Sequence, residues 1–175
     1  EIDAAYNYRF NEASSIVYRF LAGVGWPYGN SEVMPFEEQY FGGGSNDIRA
    51  WMVRTLGPGS YVQDTSLIQT ADMKLEANVE YRFKLFWILE GALFVDAGNI
   101  WTVREDADRP GSVFRLRSFA DDIAVGTGLG LRFDLKFVLL RADFGLKVRD
   151  PRETDGSKWI PFNRPYNRKK DITMV

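Results

Sequence analysis

The sequence predicts an all-β protein, specifically an antiparallel transmembrane β-barrel. Three observations predict it: apolar and polar residues alternate over long segments, short turns alternate with long connections, and aromatic residues are abundant. The clearest segment is residues 125–135, in which every second side chain is apolar or Thr. A membrane-crossing strand needs about 9–11 residues, whereas a typical strand of a soluble protein has about 5–6. The segment therefore has the length of a strand that crosses a bilayer.

The same two-residue period recurs in five other segments, so that each has one apolar and one polar face. The apolar rows lie within residues 4–10, 18–24, 75–83, 87–97 and 138–148. A soluble antiparallel barrel or sandwich that binds an apolar ligand would also alternate in this way, with its apolar rows turned inward. The period alone leaves both folds open.

The lengths of the connections favour the membrane barrel. Short turns are predicted near residues 11–15, 84–86 and 135–137, and long connections over 26–72, 99–121 and 150–170. Outer-membrane barrels have short periplasmic turns and long extracellular loops, so 99–121 and 150–170 are predicted to be extracellular. Aromatic residues near the strand ends would form the interfacial girdles; they are Tyr18, Tyr81, Phe86, Trp87, Trp101 and Phe137.

Composition argues against several other classes of protein. The net charge is -2 and the pI is about 5.3, so no basic footprint for nucleic acid is present. The sequence has no Cys and no His, which removes thiolate chemistry and the most frequent general base and metal ligand. We therefore expect no enzymatic activity, no cofactor and no metal site. No run of 18 apolar residues occurs, so no transmembrane helix is predicted.

The predicted strands do not suffice for a closed barrel. Six full strands and a short segment at 171–175 are fewer than the eight strands of the smallest bacterial barrels. An open sheet edge in lipid would leave backbone groups without hydrogen bonds. We therefore expect residues 1–175 to be one part of a larger barrel, with further strands before and after them.

Three motifs resemble those of the BamA/TamA-type outer-membrane assembly barrels of the bacterial surface antigen superfamily. They are Phe41-Gly-Gly-Gly44 followed by Ile48-Arg49-Ala50-Trp51, the strand FVDAGNIW at 94–101, and GTGLGLRFD at 126–134. The resemblance implies the C-terminal portion of a barrel of about 16 strands, within the even-numbered range of such barrels. It also implies location in the cell outer membrane, where the protein would insert other proteins.

The partners implied by the resemblance are outer-membrane lipids, substrate outer-membrane proteins and accessory lipoproteins. One alternative function stays open. The secretion transporters of the two-partner type share the arginine-containing loop motif, so a secretion or diffusion pore is the second hypothesis.

The resemblance also implies that segment 26–72 folds back into the barrel lumen, where its arginine meets acidic residues. Strand parity independently places Glu80 and Asp96 on the polar face. We therefore predict a latch in which Arg49 pairs with Glu80 and Asp96, because a guanidinium stays charged and offers five donors. Trp51 is expected to pack beside them.

The glycines of the loop motif, Gly42, Gly43 and Gly44, are expected to let the loop turn and to press it against the wall. Ala50 stands where the family has glycine, and a positive φ would be unfavourable for alanine there.

A basic group in the last connection has two interpretations. Arg164, Arg168, Lys169 and Lys170 would either contact anionic lipid headgroups or belong to a solvated loop.

Overall fold

A computed structural model describes residues 1–29, 34–62, 68–135, 137–154 and 156–175. Seven strands form one antiparallel sheet in sequence order, from β1 to β7. Their bounds are β1 Ile2–Asn11, β2 Ser14–Val24, β3 Met73–Phe86, β4 Leu89–Trp101, β5 Ala124–Asp134, β6 Leu139–Arg149 and β7 Ile172–Met174. Two four-residue helices, α1 Ile160–Asn163 and α2 Arg168–Asp171, lie between β6 and β7. None of the described helices is long and apolar enough to span a membrane.

One face of the sheet has exposed apolar side chains and the other has buried charged side chains, which is the reverse of the arrangement in soluble proteins. On β5, Leu129, Leu131 and Phe133 are exposed, whereas Arg132 between them is 5% exposed. Carboxylates on neighbouring strands are buried as well, with Asp96 and Asp143 at 0%. Charged residues are rarely buried unless they are paired. We call these the apolar face and the polar face of the sheet.

Two predicted strand ends are wrong. The turn between β3 and β4 is not at 84–86, because β3 continues to Phe86, which pairs with Leu89. The turn is formed by residues 87 and 88, and Trp87 is fully exposed there with φ of 44°. At the other end, β4 continues to Trp101, which pairs with Met73. The connection predicted as 99–121 therefore spans 102–123.

Trp101 is not part of an aromatic girdle. Its side chain is completely buried, its ring meets that of Phe114 edge-on at 5.6 Å, and its indole N–H donates to Asp122 at 3.4 Å. The connection after β4 folds over it: Thr102 pairs with Val113 and Thr102 also exchanges backbone hydrogen bonds with Ser112 and Phe114. A tryptophan at a strand end has thus become part of the packing under a loop.

The connection between β2 and β3, residues 25–72, contributes the main apolar cluster of the described chain. Ile48, Ala50, Trp51 and Leu56 pack together and against Ala124 of β5. All are at most 1% exposed. These four side chains therefore lie on the sheet rather than in solvent, and residues 45–51 lie at the polar face.

Candidate functional site

The central contact of the polar face joins Arg49 to two carboxylates on adjacent strands. Its Nε and backbone N–H both donate to Oδ2 of Asp96 on β4, at 2.9 and 3.1 Å, and Nη2 donates to Oδ1 at 2.7 Å. Nη1 donates to Oε2 of Glu80 on β3 at 2.5 Å. Paired donors of this kind fix orientation as well as charge. The structure thus brings together the three charged residues of the predicted latch.

Burial and charge act on Arg49 in opposite directions. Removal from water by itself would lower the pKa of Arg49, but the hydrogen bonds and charges of Asp96 and then Glu80 outweigh it and raise the pKa. The guanidinium therefore stays charged, and it is only 4% exposed. A buried cation held by two carboxylates cannot leave without exposing both of them, so the contact has a large free-energy cost of opening.

Phe94 supplies a contact that the sequence analysis missed. Its ring centroid lies 3.5 Å from the Arg49 Cζ, so the guanidinium stacks on the ring. Phe94 and Asp96 are two residues apart on β4 and hence share a face. The signal was available in the sequence: a large aromatic side chain in the same row as Glu90 and Asp96. Packing of the guanidinium, which we expected from Trp51, is provided by Phe94.

Trp51 occupies a different position from the one expected. It is 1% exposed, within the apolar cluster of the loop, and the Lys147 ammonium lies 5.0 Å above its ring. Its indole Nε1 has no hydrogen-bond partner in the described part of the chain. Trp51 thus anchors the loop through packing and a cation–π contact with β6.

Glu80 is shared by three guanidinium groups. Besides Arg49, the side chains of Arg82 and Arg132 each donate to its Oε1 at 2.5 Å. Arg132 on β5 reaches Glu80 on β3 across the side chain of Ala92 on β4, which lies between them. Arg132 belongs to the third motif, but its partner was not predicted, because the contact spans two strands and depends on the strand register.

A second group of contacts fixes the loop before Arg49. Asp47 is ion-paired with Lys74, and Arg19 donates to the backbone carbonyl of Asn46 at 2.7 Å. Arg141 donates to the carbonyl of Ser45. The loop is therefore held by side chains of β2, β3 and β6, which bind its backbone carbonyls as well as the carboxylate of Asp47.

The glycines Gly42, Gly43 and Gly44 lie close to the other limb of the loop. Gly43 and Gly44 have φ of 96° and 112°, which an L side chain rarely adopts. A Cβ on Gly43 would lie 2.3 Å from the carbonyl oxygen of Met52, and one on Gly44 2.8 Å from the Val53 side chain. These glycines thus allow the two limbs of the loop to approach each other. The expected contact of the glycines with the wall stays a prediction.

The close approach to the wall occurs at residues 49 and 50. A Cβ on Gly145 of β6 would lie 2.6 Å from the carbonyl oxygen of Arg49, and one on Gly126 of β5 would lie 2.6 Å from the Ala50 Cβ. Among the described residues, only Arg54 and Trp87 are non-glycine residues with positive φ. Ala50 therefore needs no glycine conformation, and Gly126 leaves the space for its methyl group.

The charged side chains of the polar face hold the loop. No group of three or more possible metal-ligating side chains comes together within the ranges that the structure describes. The carboxylates of Glu80 and Asp96 are occupied by guanidinium groups. A cavity of about 350 Å³ beside Arg49 is lined by Arg19, Arg82, Arg132 and Arg141 together with Asp47 and Glu80.

Comparison with solved structures defines the class of protein. The crystal structure of BamA from Haemophilus ducreyi lacking POTRA domains 1–3 matches with a TM-score of 0.68 and 15% sequence identity, covering 97% of this chain and 32% of that one. The exposed apolar rows and buried polar rows agree with that fold. The predicted all-β antiparallel barrel fold is confirmed, and the chain has the fold of a portion of a transmembrane β-barrel.

Sequence comparisons define the family. The model of the Omp85 superfamily domain matches residues 1–164, so the chain belongs to the Omp85 superfamily. The outer membrane protein assembly factor BamA of Neisseria meningitidis serogroup B (strain ATCC BAA-335 / MC58) is 33% identical over 88 residues, which is 45% of this chain and 11% of that protein. The chain thus spans about a tenth of this relative. The resemblance noted from the three motifs and the outer-membrane location are confirmed. At the level of the family, the function is insertion or translocation of proteins at the outer membrane.

Proposed function

We propose that this chain serves an outer-membrane assembly machine that inserts other outer-membrane proteins, and that it does so without catalysis or a cofactor. Residues 26–72 act as an internal loop in the lumen, with 102–123 and 150–171 outside the cell. The observation that carries the proposal is the buried Arg49, whose donors satisfy Asp96 and Glu80 at once. The named curated relative is an assembly factor.

The role of the latch follows from its connections. Arg49 links β3 and β4, and the adjacent Ala50 carbonyl accepts a hydrogen bond from Thr173 of β7 at 2.9 Å. One short stretch of the loop thus holds both the middle and the last strand of the sheet. The latch would keep these strands in a defined position while substrate proteins are added.

Partners follow from the same proposal. The apolar face contacts outer-membrane lipids, the substrates are other outer-membrane proteins, and accessory lipoproteins attach to the rest of the protein. A secretion or diffusion pore of the two-partner type is the competing function. The described contacts of the polar face fit both protein assembly and a pore, so the experiment below distinguishes the two functions.

The test is Arg49→Ala in the full-length protein. We expect the variant to reach the outer membrane but to reduce the level of folded outer-membrane proteins several-fold, because Asp96 loses its guanidinium and Glu80 loses one of three. Met52→Ala, on the same loop but 64% exposed, is the control that should leave assembly unchanged. Normal assembly in Arg49→Ala would contradict the latch. A large, steady conductance in planar bilayers, with loss of one secreted protein only, would favour the pore.

A further inference from the structure

The connection between β6 and β7 neutralises its own carboxylates. Asp150 is paired with Arg152 at 3.0 Å, and a single guanidinium, that of Arg164, pairs with both Glu153 at 2.5 Å and Asp171 at 2.6 Å. These are all the carboxylates between residues 150 and 171 that the structure describes. Arg164 is therefore an internal clamp, and the expectation that groups it with headgroup-contacting cations does not fit its position.

Three exposed cations follow Arg164 in the same connection. Arg168, Lys169 and Lys170, which we call the rim cations, are exposed, and no carboxylate of the described residues forms an ion pair with them. The backbone that carries them is held by Asn167. The Asn167 side chain accepts from the Lys169 N–H at 3.0 Å, and the Asp171 N–H donates to the Asn167 carbonyl at 2.9 Å. The group is thus presented on an ordered turn.

The rim cations lie where the sheet passes from hydrocarbon to water. Helix α2 leads directly into β7, whose first residue Ile172 is opposite Leu146 on the apolar face. At about 1.5 Å per residue of helix, the three side chains begin within about 10 Å of Ile172. The polar layer on each side of the hydrocarbon core is about 5–8 Å thick. The cations therefore lie at the level of lipid headgroups.

Exposed aromatic residues accompany these cations. Phe162 is 85% exposed, and Trp159 and Tyr166 are each 43% exposed. Trp159 pairs with Arg149 at the end of β6, so it lies at the same end of the sheet. Aromatic side chains are enriched at the interface of bilayers, where basic side chains attract anionic lipids. Both types of contact occur together here.

We propose that the rim cations, flanked by Phe162 and Tyr166, bind the phosphate groups of a phosphorylated lipid headgroup. The proposal rests on the proposed function for one point only, which is that the long connections face the outer leaflet. A lipid fits better than a soluble anion because the cations stand beside the apolar face, so that phosphate and acyl chains are contacted together. Lipid A, which carries phosphates on an acylated sugar, is the appropriate probe.

The experiment measures equilibrium binding of lipid A to the full-length protein in nanodiscs of neutral lipid. Lys169→Gln combined with Lys170→Gln should weaken binding about thirtyfold at low salt, since each basic residue near the headgroups contributes about a fivefold factor. Lys169→Arg combined with Lys170→Arg should retain it. Arg9→Gln combined with Lys84→Gln removes two exposed cations from the opposite end of the sheet, both on the polar face, and should have no effect.

Each outcome decides the proposal. Loss of binding in the Gln variant alone, with no binding of dephosphorylated lipid A, supports it. Equal binding by the wild type and the Gln variant overturns it, and so does competition by inorganic phosphate at the same concentration as the lipid. Lipid binding does not require assembly activity. Normal assembly without lipid binding therefore contradicts only this inference, whereas lipid binding with normal assembly in Arg49→Ala contradicts only the latch.

Discussion

Thr173 of β7 donates a hydrogen bond from its hydroxyl to the carbonyl of Ala50, at 2.9 Å, across the face on which the loop lies. Thr173 is only 9% exposed, and its strand partner is Gly145, where an added Cβ would lie 2.6 Å from the Arg49 carbonyl oxygen. Strands β6 and β7 therefore both contact the backbone of residues 49 and 50 of the loop. The Thr173 hydroxyl thus joins β7 to the loop, in addition to the backbone pairing of β7 with β6.

Replacing Thr173 by Val should loosen β7. The substitution keeps the shape and leaves the buried Ala50 carbonyl without its donor, which costs about 1–3 kcal/mol. We expect faster hydrogen exchange at the Val175 N–H, which donates to the Asp143 carbonyl at 3.0 Å. Thr173→Ser retains the hydroxyl and should exchange as the wild type does. Unchanged exchange in the Val variant would show that strand pairing alone holds β7.

The Arg49 cluster should behave as a coupled unit. Arg49→Ala or Asp96→Ala alone should destabilise the folded barrel by about 3–5 kcal/mol, because each removes a partner of a buried charge. The double variant should cost clearly less than the sum of the two. Thermal unfolding of the full-length protein in detergent, followed by the gel shift between folded and unfolded forms, measures all three. Additive losses would mean that the two residues act independently.

The contact between the loop backbone and β6 can be tested with a single methyl group. Gly145→Ala places a Cβ 2.6 Å from the Arg49 carbonyl oxygen, which is backbone and is fixed by neighbouring contacts. We expect a loss of unfolding temperature and a displaced loop. Gly130→Ala is the matched control, since its Cβ would meet the Asp143 side chain at 2.4 Å and a side chain can move. Equal effects of the two variants would contradict the close approach.

The Arg164 clamp should fail only in acid. Burial would raise the pKa of Asp171, but hydrogen bonds from Arg164 and from the Asn167 N–H lower the pKa below its ordinary value. A carboxylate with a lowered pKa stabilises the fold above about pH 4 and loses that contribution as pH falls through its folded pKa. A spin label at Pro165 should stay immobile from pH 7 to about pH 4 and become mobile below it. In Asp171→Asn the label should be mobile at neutral pH.

Bilayer contact can be assigned row by row. Spin labels at Leu131 and Phe144, on the apolar face, should be relaxed by oxygen dissolved in lipid and hardly by a water-soluble nickel chelate. A label at Val17 should show the opposite, although valine is apolar, because Val17 lines the cavity beside Arg49. Access of the chelate to Leu131 and Phe144 would exclude a lipid-facing apolar face.

The sequence predicted the faces of the sheet well because the two-residue period is set by backbone geometry alone. That is why Glu80 and Asp96 could be named as partners of Arg49. Contacts that depend on register were missed. The approach of Arg132 to Glu80 crosses β4, and the stacking of Phe94 on Arg49 requires the path of the loop in three dimensions.

Strand ends were predicted less accurately for a related reason. Trp87 continues the alternation of β4 and was assigned to it, yet it forms the turn, because Phe86 already pairs with Leu89. Trp101 was assigned to a girdle, although the following connection covers it. In both cases the alternation of side chains is compatible with either position, and only the backbone hydrogen bonds show where the strand ends.

The nearly bare strip formed by Gly126 and Gly145 has a consequence for how such loops diversify. At this strip the barrel wall meets the loop through glycine backbone, so that the shape of the incoming peptide matters there more than its side chains. Loop segments of different sequence should therefore be exchangeable between related barrels, provided that they keep Asp47, Arg49, a small residue at position 50 and Trp51. Grafting such a segment would transplant the loop without redesigning its host.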